Sequence, residues 1–228
     1  MKGRIGGIVE LALSIAVILI FHFFYFKVLG IFGLHFTGNA YLIADFIKYT
    51  IICGIIFVIY YRNIRAGQNS FNKALLNSII FSIACFMCLI FITIAMHKLL
   101  NYLGNPRGIE IGYNFTNYFN KHFDLAFALS LIKECVFMPF LLCIIFPLGF
   151  SNIFKKSGTA SMLCGLTYGI LYGISLNTSF EVALFHSLTP AFIIVMLTYL
   201  YKTNKNIWSV IITYACYVLF GIFAINYL

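Results

Sequence analysis

Residues 126–150 form an apolar run that contains two adjacent ionisable residues, Lys133 and Glu134. The run is long enough to cross a bilayer, since a membrane helix needs about 20 apolar residues. An ionisable side chain at the centre of such a helix costs roughly 2.5–3.5 kcal/mol on insertion scales, so it normally faces the bundle interior and pairs there. The run therefore predicts a membrane helix whose Lys133 and Glu134 each reach a neighbouring helix.

The composition excludes a soluble globular domain. Of the 228 residues, 62% are hydrophobic and 9% are charged, so too little polar surface exists to cover a fold in water. The formal net charge of +9 comes from short clusters between apolar runs rather than from one basic face, which argues against nucleic acid as a partner. The sequence predicts an all-α membrane helical bundle, a single domain over residues 1–228 embedded in the lipid bilayer.

Seven apolar runs predict about seven transmembrane helices, at residues 8–29, 41–61, 76–97, 126–150, 159–176, 183–201 and 206–227. The connections between them differ in basic content. Nine basic residues lie on one side, Lys2, Arg4, Arg62, Arg65, Lys73, Lys155, Lys156, Lys202 and Lys205, and four on the other, Lys27, Lys98, Arg107 and Lys121. Because cytoplasmic connections are enriched in Lys and Arg, we expect the N-terminus inside and the C-terminus outside. The long connection 101–124 is then an external loop with a short interfacial helix near its end.

All seven cysteines fall in apolar runs, where a free cysteine behaves as a small hydrophobe. Cys85 and Cys88 form a C-x-x-C, but no second pair or nearby histidine accompanies them. We therefore predict no disulfide framework, no metal site and no cofactor.

Other polar residues in the runs have simpler interpretations. Asp45 and Lys48 have the spacing of an ion pair on a helix surface, and near the outer boundary we expect a solvated pair. Glu10, near the inner end of the first run, is expected to extend to the membrane surface. In the sixth run Pro190 leaves the carbonyl of His186 without its helical donor, and Pro139 leaves that of Cys135 in the same state.

Glycines at positions 165, 169 and 173 form a double G-x-x-x-G in the fifth run. This pattern allows a neighbouring helix backbone to approach closely. We expect this helix to lie centrally in the bundle, buried among the others.

Three segments of the last hundred residues carry a motif pattern. The first, 133–139, reads Lys-Glu-Cys-Val-Phe-Met-Pro; the second, 168–172, reads Tyr-Gly-Ile-Leu-Tyr; the third runs from Ala191 and Phe192 through a basic turn to Trp208 and on to 214–218. On these residues the chain, over 126–228, resembles the CPBP family of CAAX-protease and bacteriocin-processing membrane proteins, also known as Abi proteins. Family members carry E-E-x-x-x-R, F-x-x-x-H and H-x-x-x-N in successive helices, and the active ones are thought to be glutamate-dependent intramembrane proteases.

Among the family's polar motif positions, Glu134 alone keeps its chemical type. The others hold Lys133 for the first glutamate, Met138 for the arginine, Tyr172 and Tyr214 for the two histidines and Val218 for the asparagine. Peptide hydrolysis at such a site needs a carboxylate to take a proton from water, and donors where negative charge develops. A tyrosine, with an unperturbed pKa of about 10, is a poor proton shuttle at neutral pH. The resemblance therefore implies a catalytically degenerate member with Glu134 as a relic.

Three functions remain open. The first, which we favour, is a degenerate CPBP-like protein of the bacterial plasma membrane that binds a membrane or secreted protein partner. It would act as a bacteriocin self-immunity protein or as an accessory scaffold for a membrane or cell-wall enzyme. Lys133 and Glu134 would then serve helix packing, with the hydroxyls of Tyr172 and Tyr214 donating to Glu134. The second is an active glutamate-dependent intramembrane protease with rewired donors, drawn from Glu134, Tyr168, Tyr172, His186 and Tyr214. The third is a small-solute transporter whose midplane polar groups hold substrate.

Overall fold

The computed structural model describes residues 2–34, 39–71, 75–102, 125–175 and 180–224. Within these residues every regular element is a helix, which confirms the all-α fold class. The first half comprises α1 (Lys2–Ile31), α2 (Asn39–Ile59), α3 (Tyr61–Phe71) and α4 (Leu75–Tyr102). The second half comprises α5 (125–153), α6 (Ser157–Ser175), α7 (Phe180–Asn204) and α8 (Ile207–Ala224). Residues 103–124, where we predicted an external loop and an interfacial helix, lie outside the described residues.

Helix α5 is continuous but not uniform. Its α-helical segments Leu125–Ile132, Met138–Cys143 and Phe150–Ile153 are separated by two π-helical turns, Lys133–Phe137 and Ile144–Gly149. Each π turn shifts the backbone hydrogen bonds from the fourth to the fifth residue back, and such turns are frequent at functional sites. The first π turn contains both Lys133 and Glu134, and the second contains Pro147.

Among the described residues, three helices are long and apolar enough to cross a membrane: Ala40–Ile59 in α2, Asn77–Met96 in α4 and Ala128–Ile153 in α5. Helix α1 is a fourth if its two parts, Ile5–Phe21 and Phe23–Ile31, which meet at 41°, count as one span. Large apolar side chains on the outside of the molecule, such as Phe91 and Val58, are exposed, and only lipid accepts such a surface at no cost. The apolar helices thus indicate a membrane protein.

The connection after α2 is itself a helix, which the sequence analysis did not anticipate. Helix α3 follows α2 directly and is polar overall, with Arg62 and Arg65 exposed and Ile64 buried. The apolar side chain of Ile64 faces inward, and α3 packs against α8. Arg62 and Arg65 therefore lie on a short surface helix rather than in an irregular loop.

Helix α6 packs its glycine face on α7. A Cβ on Gly165 would lie 2.3 Å from Cγ2 of Val195 and 2.8 Å from the carbonyl oxygen of Ala191, and one on Gly169 would lie 2.9 Å from the Cβ of Ala191. The close approach predicted from the G-x-x-x-G pattern is present. The expectation of a centrally buried helix is wrong, because the opposite face of α6, including Met162, is exposed. The glycine pattern specifies one tight contact and leaves the rest of the helix at the periphery.

The core lies where the second half of α5 meets α4, α7 and α8. The second π turn is buried throughout, and Leu148 in it is fully buried together with Ile194 and Leu197 of α7 and Val210 of α8. The end of α5 is fixed by Lys202 of α7, whose Nζ donates to the carbonyl oxygens of Ser151 at 3.0 Å and Phe154 at 2.7 Å. The carbonyl of Ser151 belongs to the last turn of α5 and that of Phe154 directly follows the helix, where carbonyls have no intrahelical donor, so the lysine acts as a cap supplied by another helix.

Candidate functional site

The first π turn is built around a missing donor. Pro139 has no N–H to continue the α-helical ladder, and just before it the N–H of Met138 bonds to the carbonyl of Lys133, five residues back. The carbonyl of Phe137 receives a weak hydrogen bond from the Cys53 thiol of α2, with the sulfur 3.9 Å away. The sequence analysis expected the proline to disturb this stretch, but it did not predict a π turn.

Lys133 is held by an aspartate on another helix. Its Nζ lies 2.8 Å from Oδ2 of Asp45 on α2, and the other oxygen of Asp45 accepts a hydrogen bond from Nζ of Lys48. Asp45 and Lys48 are only 7% and 8% exposed. Our expectation of a solvated pair is therefore wrong. The two residues do form the ion pair that their spacing predicts, but it is buried and extends to a third residue 88 positions away.

An aromatic ring lies against both lysines. The Nζ atoms of Lys133 and Lys48 are 4.7 Å and 4.8 Å from the ring centroid of Tyr49, and Lys48 is also 5.2 Å from that of Phe26. A cation within about 6 Å of an aromatic centroid is attracted to the ring, by about 2 kcal/mol or more when it is desolvated. The aromatic contacts supply part of the stabilisation that water gives to an exposed ammonium group.

We define the charge cluster as Asp45, Lys48, Lys133 and Glu134. Its two carboxylates and two ammonium groups are formally neutral together, which reduces the free energy needed to hold them in an apolar bundle. Glu134 differs from the other three, because its carboxylate makes no hydrogen bond or ion pair in the described part of the chain and senses Lys133 and Asp45 only at longer range. It is half-buried. Glu134 is thus the member of the cluster whose carboxylate can still accept hydrogen bonds.

The predicted site residues are brought together in part. Tyr168 of α6 and Tyr214 of α8 both lie within electrostatic range of the Glu134 carboxylate. The predicted hydrogen bond from Tyr214 to Glu134 is absent: the ring of Tyr214 instead stacks on Tyr217, at 6.0 Å and 16°. Tyr172 packs on Tyr168, with ring centroids 6.3 Å apart.

His186 stands apart from this group. It is buried on α7, and its Nε2 has no hydrogen-bond partner in the described residues. No hydrogen bond or ion pair links it to Glu134 in the part of the chain that the structure describes. His186 is therefore not placed to exchange protons with the carboxylate of Glu134.

A cavity of about 440 Å³ lies beside the charge cluster, between α1, α2, α5 and α6. Its polar lining comes from Lys48, Tyr49, Tyr168 and Tyr172, and the remaining walls are apolar, with Met138, Leu142 and Ile18 among them. An apolar pocket with a few polar groups at one place is typical of a binding site. The two tyrosines that the motif pattern singles out, Tyr168 and Tyr172, thus face the same space as Lys48.

Metal chemistry has no evident ligand set here, since no group of three or more His, Cys, Asp or Glu side chains that could hold a metal ion occurs among the residues described.

Comparison with known proteins adds no relationship: no protein-family model matches the chain, and no curated protein or solved structure matches it significantly.

Sequence reasoning missed Asp45 as a member of the site. Its spacing from Lys48 explained it locally, and no local pattern connects it to Lys133. One signal was available: Asp45 and Lys48 lie inside a run long enough to span a membrane, where ionisable residues normally have partners on other helices. The reasoning that predicted partners on neighbouring helices for Lys133 and Glu134 would have predicted such partners for Asp45 and Lys48 as well.

Proposed function

We propose that the chain is a catalytically degenerate CPBP-like membrane protein that acts by binding a protein partner. The partner would be a membrane or secreted protein, and the role either bacteriocin self-immunity or the support of a membrane or cell-wall enzyme. We further propose seven membrane spans with the N-terminus in the cytoplasm and the C-terminus outside, in a bacterial plasma membrane. The excess of basic residues on one set of connections supports this orientation.

The observation that carries the proposal is the bridge from Lys133 to Asp45. In the motif pattern Lys133 stands where the family has the first glutamate, and its ammonium group is engaged at 2.8 Å by a carboxylate of α2. A lysine held as an ammonium group in this partly buried ion pair has no lone pair with which to take a proton from water. The pair instead joins α2 to α5, so the position that would serve catalysis serves the packing of the bundle.

The surroundings of Glu134 support the same proposal. A carboxylate acting as general base needs an oriented water and a donor for the developing negative charge. Tyr168 and Tyr214 lie within electrostatic range of this carboxylate. Tyr214 is stacked against Tyr217, whose hydroxyl is hydrogen-bonded to Thr93 Oγ1 at 2.6 Å. These tyrosines are arranged for aromatic packing rather than for proton transfer.

The cavity beside the charge cluster is our candidate for the partner site. Leu171 of α6 lines it and is 52% exposed, so it faces both the cavity and the surroundings. Met162 of the same helix is 68% exposed but does not line the cavity, and nine residues of α-helix place the two side chains on opposite sides. The two positions form a matched pair for cross-linking.

A photoreactive amino acid at Leu171 or Met162, in cells of the native host, tests the proposal. We expect a protein adduct of defined mass from position 171 and none from position 162. Identical adducts at both positions, or only lipid adducts at both, would contradict a partner site at the cavity. The protease alternative is tested separately with purified protein and a membrane-anchored peptide: cleavage that Glu134→Gln abolishes would replace our proposal with an active enzyme.

A further inference from the structure

A second cavity, of about 800 Å³, lies where α1 begins and α5 ends. Its lining includes Glu10 of α1, Asn63 of α3, Asn152 of α5 and the pair Lys155 and Lys156 that leads into α6. The volume falls within the range of roughly 300–1,000 Å³ that is usual for ligand pockets. This cavity has a larger polar share in its lining than the one beside the charge cluster, and it has no part in the function proposed above.

The position of the cavity puts it at the membrane surface. Lys155 and Lys156 lie two and three residues after Ile153, which ends the apolar span Ala128–Ile153. Lipid headgroups occupy the layer just beyond the hydrocarbon core, so both lysines lie at headgroup depth. Basic pockets between membrane helices at this depth are known to bind lipid headgroups.

The cavity carries both signs of charge. Glu10 is held in place by Asn63, whose Nδ2 donates to Oε2 at 3.3 Å, and it forms no ion pair with any side chain that the structure describes. Lys155 and Lys156 are exposed and likewise have no carboxylate partner among the described side chains. One wall thus offers an acceptor for a cation, and the other offers donors for an anion.

We propose that this cavity binds the headgroup of a lipid that carries both a phosphate and a primary amine, the phosphatidylethanolamine class. Lys155 and Lys156 bind the phosphate, and Glu10 accepts hydrogen bonds from the ammonium group. A purely anionic headgroup would leave Glu10 facing negative charge. A quaternary ammonium has no N–H to donate and is usually bound by an aromatic cage, whereas Phe154 is the one aromatic residue among those lining this cavity.

Native mass spectrometry of the purified full-length protein tests this assignment. Dioleoyl phosphatidylethanolamine, phosphatidylglycerol and phosphatidylcholine, which share their acyl chains, are titrated in turn. We expect the first to bind about tenfold more tightly than the other two, as one additional charge-assisted hydrogen bond would produce. Equal affinities for phosphatidylethanolamine and phosphatidylcholine would overturn the proposal without any variant being needed.

Variants test separately the roles of the carboxylate and of the two lysines in binding the headgroup. Glu10→Gln should abolish the preference for phosphatidylethanolamine over phosphatidylcholine, and the double change Lys155→Gln with Lys156→Gln should weaken binding of all three lipids. Lys98→Gln, at an exposed lysine outside the cavity, is the matched control and should change nothing. A preference that survives Glu10→Gln overturns the role of the carboxylate. Displacement of the lipid by an equal concentration of soluble phosphoethanolamine would show that the ligand is a soluble zwitterion rather than a lipid.

Discussion

Removal of the Asp45 charge is the sharpest perturbation of the bundle that the structure offers. Asp45→Asn keeps the size of the side chain but leaves Lys48 and Lys133 close together with no carboxylate between them. Asp45 is 7% exposed, so water cannot replace the lost counter-ion. We therefore expect this single change to destabilise the protein more than removal of either lysine does.

The size of the effect follows from the geometry. At an effective dielectric constant near 20, charges 2.8 Å apart, as for Lys133 and Asp45, attract by about 6 kcal/mol. Much of this attraction offsets the desolvation of the two ions. Removing one partner of a buried pair nevertheless costs about 3–5 kcal/mol, because the other charge stays buried and unpaired. Lys133→Met leaves Asp45 paired with Lys48, and we expect a smaller loss of about 1.5–3 kcal/mol, the value of a hydrogen bond to a charged group.

The assay is the free energy of unfolding in mixed micelles, obtained by titration with a denaturing detergent. Helix content can be followed by circular dichroism, and the single tryptophan, Trp208, gives a second probe. Thr50→Val on the same helix is the control, since the Thr50 hydroxyl is exposed and, within the part of the chain that the structure describes, bonds only to the carbonyl of Phe46, one turn back. Equal stability of Asp45→Asn and Thr50→Val, or a larger loss in Lys133→Met than in Asp45→Asn, would refute this account of the charge cluster.

Three further predictions concern other parts of the molecule. Gly165→Ala should lower the free energy of unfolding by about 1–3 kcal/mol through overpacking against α7. Gly158→Ala is the control and should not lower it, because a Cβ there would have nothing within 4 Å. Equal effects of the two changes would contradict the tight α6–α7 contact. Lys202→Met should destabilise by about 1 kcal/mol, because it removes the donor to the last carbonyls of α5, and unchanged amide exchange at the end of α5 would show that the cap is dispensable. In a cysteine-free background, a membrane-impermeant thiol reagent applied outside the cell should label Leu34→Cys and not Lys156→Cys, and the reverse pattern would invert the proposed topology.

The helices were largely predictable from the sequence because apolar runs of this length have few alternatives. Each of the seven runs overlaps a helix, and the contact of the glycines with α7 followed from their spacing. The sequence was less informative about α3, because a short polar helix resembles a loop when only hydropathy is considered. The two π turns were also missed, since Pro139 and Pro147 indicate where a helix is disturbed but not how its hydrogen bonds rearrange.

The candidate site was predictable only in part, for a different reason. Glu134, Tyr168 and Tyr214 were predicted from the resemblance to the CPBP motifs, and both tyrosines lie within electrostatic range of the Glu134 carboxylate. The hydrogen bond expected from Tyr214 was not found, because its ring is held by stacking on Tyr217. Contacts between residues as far apart as Asp45 and Lys133 depend on how the helices pack, and hydropathy patterns do not contain that information.

The charge cluster also bears on how the protein enters the membrane during synthesis. Asp45 and Lys48 on α2 are made long before Lys133 and Glu134 on α5, and each helix carries one positive and one negative group within a single turn. Each helix can therefore pass from the translocon into lipid as a locally neutral unit. Lys133 can bind Asp45 only after α5 has been inserted, so this contact forms only when both helices are in the membrane. A chain that stops before α5 would lack this interhelical bond and would leave Asp45 of α2 paired with Lys48 alone.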